Sequence, residues 1–261
     1  MSNDSPRIAC LVPSITELLF AIGLGEHLVA RTGFCVHPSA AVGRVPKVGG
    51  TKDVNLARLR ALAPTHVVVN VDENRADTVA ALRTFVPNII VTHPCTPDDN
   101  LALIDQLAQA FAGVPGVPDH AACLRVTLAA ELQRTQPGDF APVEVLYLIW
   151  REPWMTVARD TYVSQMLARV NWRTLPAADG GARGAARYPV LTGAEPWLAQ
   201  VRQLLLSSEP YAFSERHLDE ARAMCPNAAV RLVDGELISW YGPRAVAGLH
   251  YLRGLAATHV S

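Results

Sequence analysis

The chain has 261 residues, 50% of them hydrophobic and only 18% charged, which excludes a disordered polymer and allows one or two well-packed domains. A formal net charge of −1, with no run of Lys and Arg interleaved with aromatics, excludes a nucleic-acid surface. Five cysteines (Cys10, Cys35, Cys95, Cys123, Cys225) are odd in number and contain no Cys-x-x-Cys pair, which fits a reducing compartment better than a disulfide framework.

In chain order, the first seven residues show no basic n-region and no apolar h-region, and no later apolar stretch is long enough for a bilayer. The expectation is a cytoplasmic protein that does not span a membrane, with a periplasmic location as the alternative if an export signal has been removed. Ile8, Cys10, Leu11 and Val12 read as a buried strand that Pro13 blocks, Ser14 and Glu17 stand at the capping-box spacing, and Gly23 and Gly25 end the helix. Lys47-Val48-Gly49-Gly50-Thr51-Lys52-Asp53 is a glycine turn feeding a short helix over 56–63, capped by Asp53, and then a buried strand over 65–70. A helix over 76–85, a strand over 88–92 and a helix over 98–112 continue the alternation, which implies a mainly parallel sheet.

Glycines and prolines over 113–118 then break the pattern. One helix over 119–136 follows, with Ala121, Leu124, Leu128 and Leu132 on one stripe; at the standard rise it is roughly 27 Å long. The α/β pattern restarts with a strand over 143–150, a helix over 161–170, a loose Gly-, Ala- and Arg-rich segment over 177–187, strands over 204–208 and 230–234, and a helix over 244–257.

The two segments 7–25 and 47–70 resemble the substrate-binding proteins of iron-siderophore, haem and vitamin B12 ABC transporters, the class III or helical-backbone metal receptors. That resemblance implies an α/β fold of two Rossmann-like lobes with mainly parallel sheets joined by one long backbone helix: an N-terminal lobe over 1–117, the helix over 118–137 and a C-terminal lobe over 138–261. It also implies a binding protein that holds a cobalamin-like or other metal-chelate ligand in an interlobe cleft. The ligand would be a corrinoid, haem or ferric siderophore, with no intrinsic cofactor, and an ABC transporter permease would be the partner if the protein is exported.

Ligands of open parallel sheets bind beyond the carboxyl ends of the strands, so the polar and aromatic residues at those ends are the candidate site. In the N-terminal half they are Ser14 and Thr16 after the first strand, Cys35 and His37 at a strand exit, Gly50 and Thr51 in the glycine turn, and Asn70. Each has a plain alternative: Ser14 as a helix cap, Gly49-Gly50-Thr51-Lys52 as a tight turn instead of an anion nest, and 70–75 as a solvated loop. Cys35 and His37 offer a soft ligand and an imidazole, too few to complete a zinc site. In the C-terminal half, Trp150, Arg151, Trp154, Glu209, Tyr211, Trp240, Tyr241 and Arg244 lie in loops directly after strands, where aromatic faces and guanidinium forks suit a large flat ligand bearing carboxylates or amides. No Ser-His-Asp, His-Glu-x-x-His or paired-carboxylate pattern supports catalysis, so no enzyme is expected. The alternative is a cytosolic enzyme or chaperone that acts on a tetrapyrrole or metal through Cys35 and His37.

Overall fold

The computed structural model describes residues 5–258. The described residues divide into two compact units: 5–94, 99–129 and 241–243 form unit 1, and 95–98, 130–240 and 244–258 form unit 2. The chain therefore changes unit at 94/95, 98/99, 129/130, 240/241 and 243/244, not only in the long helix.

Unit 1 opens with β1 (Ile8–Cys10) and α1 (Pro13–Ala21), followed by β2 (Leu28–Arg31), α2 (Ser39–Val42), α3 (Leu56–Ala61), β3 (His66–Asn70), α4 (Ala76–Leu82), β4 (Asn88–Thr92) and α5 (Asp99–Ala110). All strands are parallel, in the order β2-β1-β3-β4. β1 is central and wholly buried, as its unbroken apolar run requires, and Ala9, Leu11, Val48, Val67 and Leu82 pack in one core on this sheet. Two sequence expectations fail at helix starts. The N-cap of α1 is Val12, with no side-chain cap, because Pro13 already occupies the first helical position and moves Ser14 inside the helix. The cap of α3 is Asn55, whose side chain accepts from the Arg58 amide at 2.9 Å, and Asp53 stays in the turn before it.

The long helix α6 (Val117–Arg134) is one continuous element of 18 residues, and Ala121, Leu128 and Leu132 of its predicted stripe are buried. Its residues to Ala129 belong with unit 1 and those from Ala130 with unit 2. In unit 2 its last turn is fixed by Arg253, whose guanidinium donates to Glu131 at 2.6 Å and to Thr135 at 2.7 Å.

Unit 2 repeats the architecture with β5 (Val143–Leu148), α7 (Tyr162–Ala168), β6 (Trp172–Thr174), β7 (Gln203–Ser207), α8 (Leu218–Met224), β8 (Ala229–Val233), α9 (Gly235–Ser239) and α10 (Pro243–Ala257). Its strands are parallel in the order β6-β5-β7-β8, the same winding as in unit 1. The loose segment over 177–187 is pinned by Asp160, whose carboxylate accepts from the Gly180 and Gly181 amides at 2.8 and 2.7 Å and faces the buried Arg187 at 3.7 Å. Those amides and that guanidinium hold the Asp160 carboxyl below its ordinary range against the opposing effect of burial.

Candidate functional site

In each sheet the connections leave the central pair of strands in opposite directions. The switch point lies between β1 and β3 in unit 1 and between β5 and β7 in unit 2, and the crevice beyond the strand carboxyl ends there is where an open α/β sheet receives ligand.

Unit 1 fills its switch point with polar bonding. Asn70 ends β3 and is buried, and the buried Asn74 binds back to it, accepting from the Asn70 amide at 2.8 Å. The Asn74 Nδ2 group donates to the Leu11 carbonyl at 3.2 Å and to the Thr51 carbonyl at 3.0 Å, so one amide side chain ties the ends of β1 and β3 to the glycine turn. That turn is the tight one: Gly50 donates to the Asp53 carbonyl at 3.0 Å, and Gly49 has φ +104° with room for no Cβ, which would lie 2.3 Å from the Asp53 oxygen. Lys52 reaches the Asp72 carbonyl at 2.6 Å instead of standing over an anion nest.

Thr16 and Cys35 come together in full burial, the Thr16 hydroxyl donating to Cys35 Sγ at 3.1 Å, with the Thr32 hydroxyl on the same sulfur at 3.2 Å. Burial pushes the thiols of Cys10 and Cys35 up, away from the thiolate form that a metal ligand or nucleophile needs. Ser14 is 3% exposed and its Oγ has no hydrogen-bond partner. His37 is half-buried on the loop that follows Cys35. Among the described residues no group of three or more His, Cys, Asp or Glu is placed to hold a metal ion.

This loop also carries a residue that the sequence reading passed over. Phe34, just beyond β2, is 63% exposed and lies across Gly50, with the exposed Val36 two residues on. The loop is held rigidly from beneath: the buried Arg31 guanidinium donates to the Cys35 carbonyl at 2.8 Å, to Thr32 at 3.2 Å and to Val45 at 3.1 Å. A large exposed aromatic at a strand end was a usable signal, but chain position alone does not separate an outward Phe34 from an inward one.

Unit 2 builds its switch point from rings. Trp150 follows β5 and Tyr211 follows β7; their centroids lie 5.6 Å apart, edge to face, and Trp150 is 40% exposed. Behind them Tyr211 packs on Phe213 at 4.7 Å, Phe213 stacks on Trp154 at 5.9 Å, and the Tyr211 hydroxyl meets His217 Nε2 at 3.2 Å. Arg151 lies over the Trp154 ring at 5.8 Å, but its guanidinium is engaged with Glu220 at 2.8 and 3.3 Å and with Glu152 at 2.6 Å.

Glu209, at the end of β7, accepts from the Ser239 hydroxyl at 2.7 Å and from the Trp240 indole at 2.6 Å. Burial pushes its carboxyl above the ordinary glutamate range, with those two hydrogen bonds opposing and the Glu236 and Asp234 charges adding. Arg244 stacks over Trp240 at 5.0 Å and pairs with Glu236 at 3.1 Å. Trp240 and Tyr241 are buried, Tyr241 within unit 1.

Residues 8–122 fit the profile of the family described as Periplasmic binding protein. The Vitamin B12-binding protein of Pectobacterium atrosepticum is 27% identical over 166 residues, 62% of this chain and 59% of that protein. The Vitamin B12-binding protein of Vibrio campbellii is 26% identical over 217 residues, 83% of this chain and 73% of that protein. The resemblance to the helical-backbone substrate-binding proteins holds. Two solved structures share the fold: the periplasmic Vitamin B12 binding protein BtuF of Vibrio cholerae, with TM-score 0.79 and 20% identity over 97% of both chains, and the periplasmic heme-binding protein RhuT from Roseiflexus sp. RS-1, with TM-score 0.75 and 23% identity over 95% and 97%. A two-lobe α/β binding-protein fold, expected from the sequence, is borne out, and the family description favours a binder over the enzyme alternative. The cytoplasmic expectation is not supported, since the matched family is named for the periplasm; among the described residues no helix is long and apolar enough to cross a membrane.

Proposed function

We propose that this chain binds a metal chelate (a corrinoid, haem or ferric siderophore) at the carboxyl-end switch points of its sheets, without transforming it. The observation that carries the reading is the Trp150–Tyr211 pair, a partly exposed aromatic ledge at the unit 2 switch point. An aromatic ledge supplies the apolar face that a large flat ligand needs, and Phe34 offers a second such face in unit 1. Relatives named for vitamin B12 and solved structures named for heme support this ligand class. The family description supports a periplasmic location, and the resemblance to transporter substrate-binding proteins implies an ABC transporter as the receiving partner.

Tryptophan emission tests it, because two of the five indoles, Trp150 and Trp154, stand in the ledge or directly behind it. Cyanocobalamin, haemin or a ferric hydroxamate should quench the emission saturably, with no new product in the absorption spectrum. Absence of saturable quenching by all three contradicts the reading.

A further inference from the structure

Tyr211 stands on the loop after β7, and a ring on a loop needs an anchor to keep one orientation. Its hydroxyl meets His217, which is 4% exposed in the turn Glu215–His217 that leads into α8. Ser214 offers its amide N–H to His217 Nδ1 at 3.0 Å and its carbonyl to the same atom at 3.2 Å, and the Tyr211 hydroxyl, able to donate or accept, lies 3.2 Å from Nε2. Both ring nitrogens are therefore matched in either tautomer. When Nδ1 carries the proton, Nε2 also accepts from Arg216 Nε–H at 3.2 Å.

Packing fixes the imidazole as well. It stands edge to face on Tyr211 at 5.5 Å and on the buried Phe213 at 5.4 Å. The Phe213 amide in turn donates to the Tyr211 carbonyl at 2.9 Å and to the carbonyl of Ser207, the last residue of β7, at 3.3 Å. One set of contacts thus runs from the strand end through Phe213 and His217 to the Tyr211 hydroxyl. Trp150 is tethered to the same helical run through its neighbour Arg151 and the exposed Glu220, an ion pair that solvent screens. His217 is the stronger anchor, because loss of a partner there leaves a buried polar nitrogen unmatched.

Resting on the chelate reading, we infer that His217 is a positioning residue for that site: it holds the Tyr211 hydroxyl so that the ring stands edge to face on Trp150 before ligand arrives. Binding then does not have to order this side chain, which favours affinity without adding a contact. His217 acts through the tyrosine oxygen and touches no ligand itself.

Two substitutions isolate that oxygen. Tyr211→Phe keeps the ring and removes the hydroxyl, while His217→Asn keeps an acceptor beside the Ser214 amide but is too short to reach Tyr211. In calorimetric titrations of the intact protein with whichever of cyanocobalamin, haemin and a ferric hydroxamate the wild type takes up, each variant should bind about threefold to tenfold more weakly, the effect of one hydrogen bond. The double variant should bind like either single one, because both remove the same contact. Wild-type affinity in Tyr211→Phe, the result if His217 serves only to cap its turn, overturns the inference. So does a loss in Tyr211→Phe alone, or losses that multiply in the double variant, the results if the hydroxyl contacts ligand directly. Each of these leaves chelate binding intact. A wild type that takes up none of the three chelates removes the chelate reading, and the inference with it.

Discussion

Units 1 and 2 wind four parallel strands in one order, but they close their switch points with opposite chemistry. Unit 1 ties its strand ends together with the Asn70–Asn74 bracket and buries two thiols beneath, and it presents Phe34 with the exposed Val36 on the loop after β2. Unit 2 leaves its strand ends to a continuous set of rings from Trp150 through Tyr211 and Phe213 to Trp154. Chain order fixes where a crevice forms, and the side chains at the strand ends decide whether it is braced by hydrogen bonds or lined by aromatic surface.

The largest effect separating the units should come from unit 1's bracket. Asn74→Ala removes the partner of two backbone carbonyls and one amide at buried or part-buried positions and should lower stability by about 3 kcal/mol, read as a fall in the denaturant midpoint at constant slope. A loss under about 1 kcal/mol would mean that water replaces the bracket and that unit 1 is less rigid than described.

A smaller effect should arise in unit 2, at Glu209. Its carboxyl is raised by burial, so the native state binds more proton than the unfolded chain above the ordinary glutamate range, and this group's contribution makes stability fall as pH rises through that window. Glu209→Gln keeps an acceptor oxygen for Ser239 and Trp240 and should flatten this part of the pH profile. A profile identical to that of the wild type would show that Glu209 is better solvated than its burial implies.

Thiol accessibility compares the units without altering them. Cys123, exposed on α6, should react at once with a thiol reagent, whereas Cys10 and Cys35 of unit 1 and Cys225 of unit 2, the last pushed up to about 11 by burial, should react only on unfolding. Early reaction of Cys35 would show that the Phe34 loop opens in the native state.

Much of the frame was legible because it is written locally. Unbroken apolar runs gave the core strands, Pro13 marked the start of α1, and the stripe through Ala121, Leu128 and Leu132 gave α6. What sequence did not show depends on partners far along the chain. Arg151 looks like a free fork until Glu220, 69 residues away, is found on it, and Trp240 looks like a free aromatic face until its indole N–H is found donating to Glu209. The segment 70–75 reads as a solvated loop because its residues are polar, yet Asn70 and Asn74 are buried, since a buried amide is stable once each of its groups is matched. The three-residue β6 is too short to announce itself by pattern, and pairing with β5 defines it.

The claim that unit 2's ledge is the ligand-facing surface is tested most directly by a double-mutant cycle on Trp150 and Tyr211, with cyanocobalamin affinity measured calorimetrically. Because the ring centroids lie 5.6 Å apart, edge to face, Trp150→Ala and Tyr211→Ala should each weaken binding by about 1–3 kcal/mol, and the double variant should lose less than the sum of the two. Wild-type affinity in both single variants, with the fold intact by circular dichroism, would contradict the account.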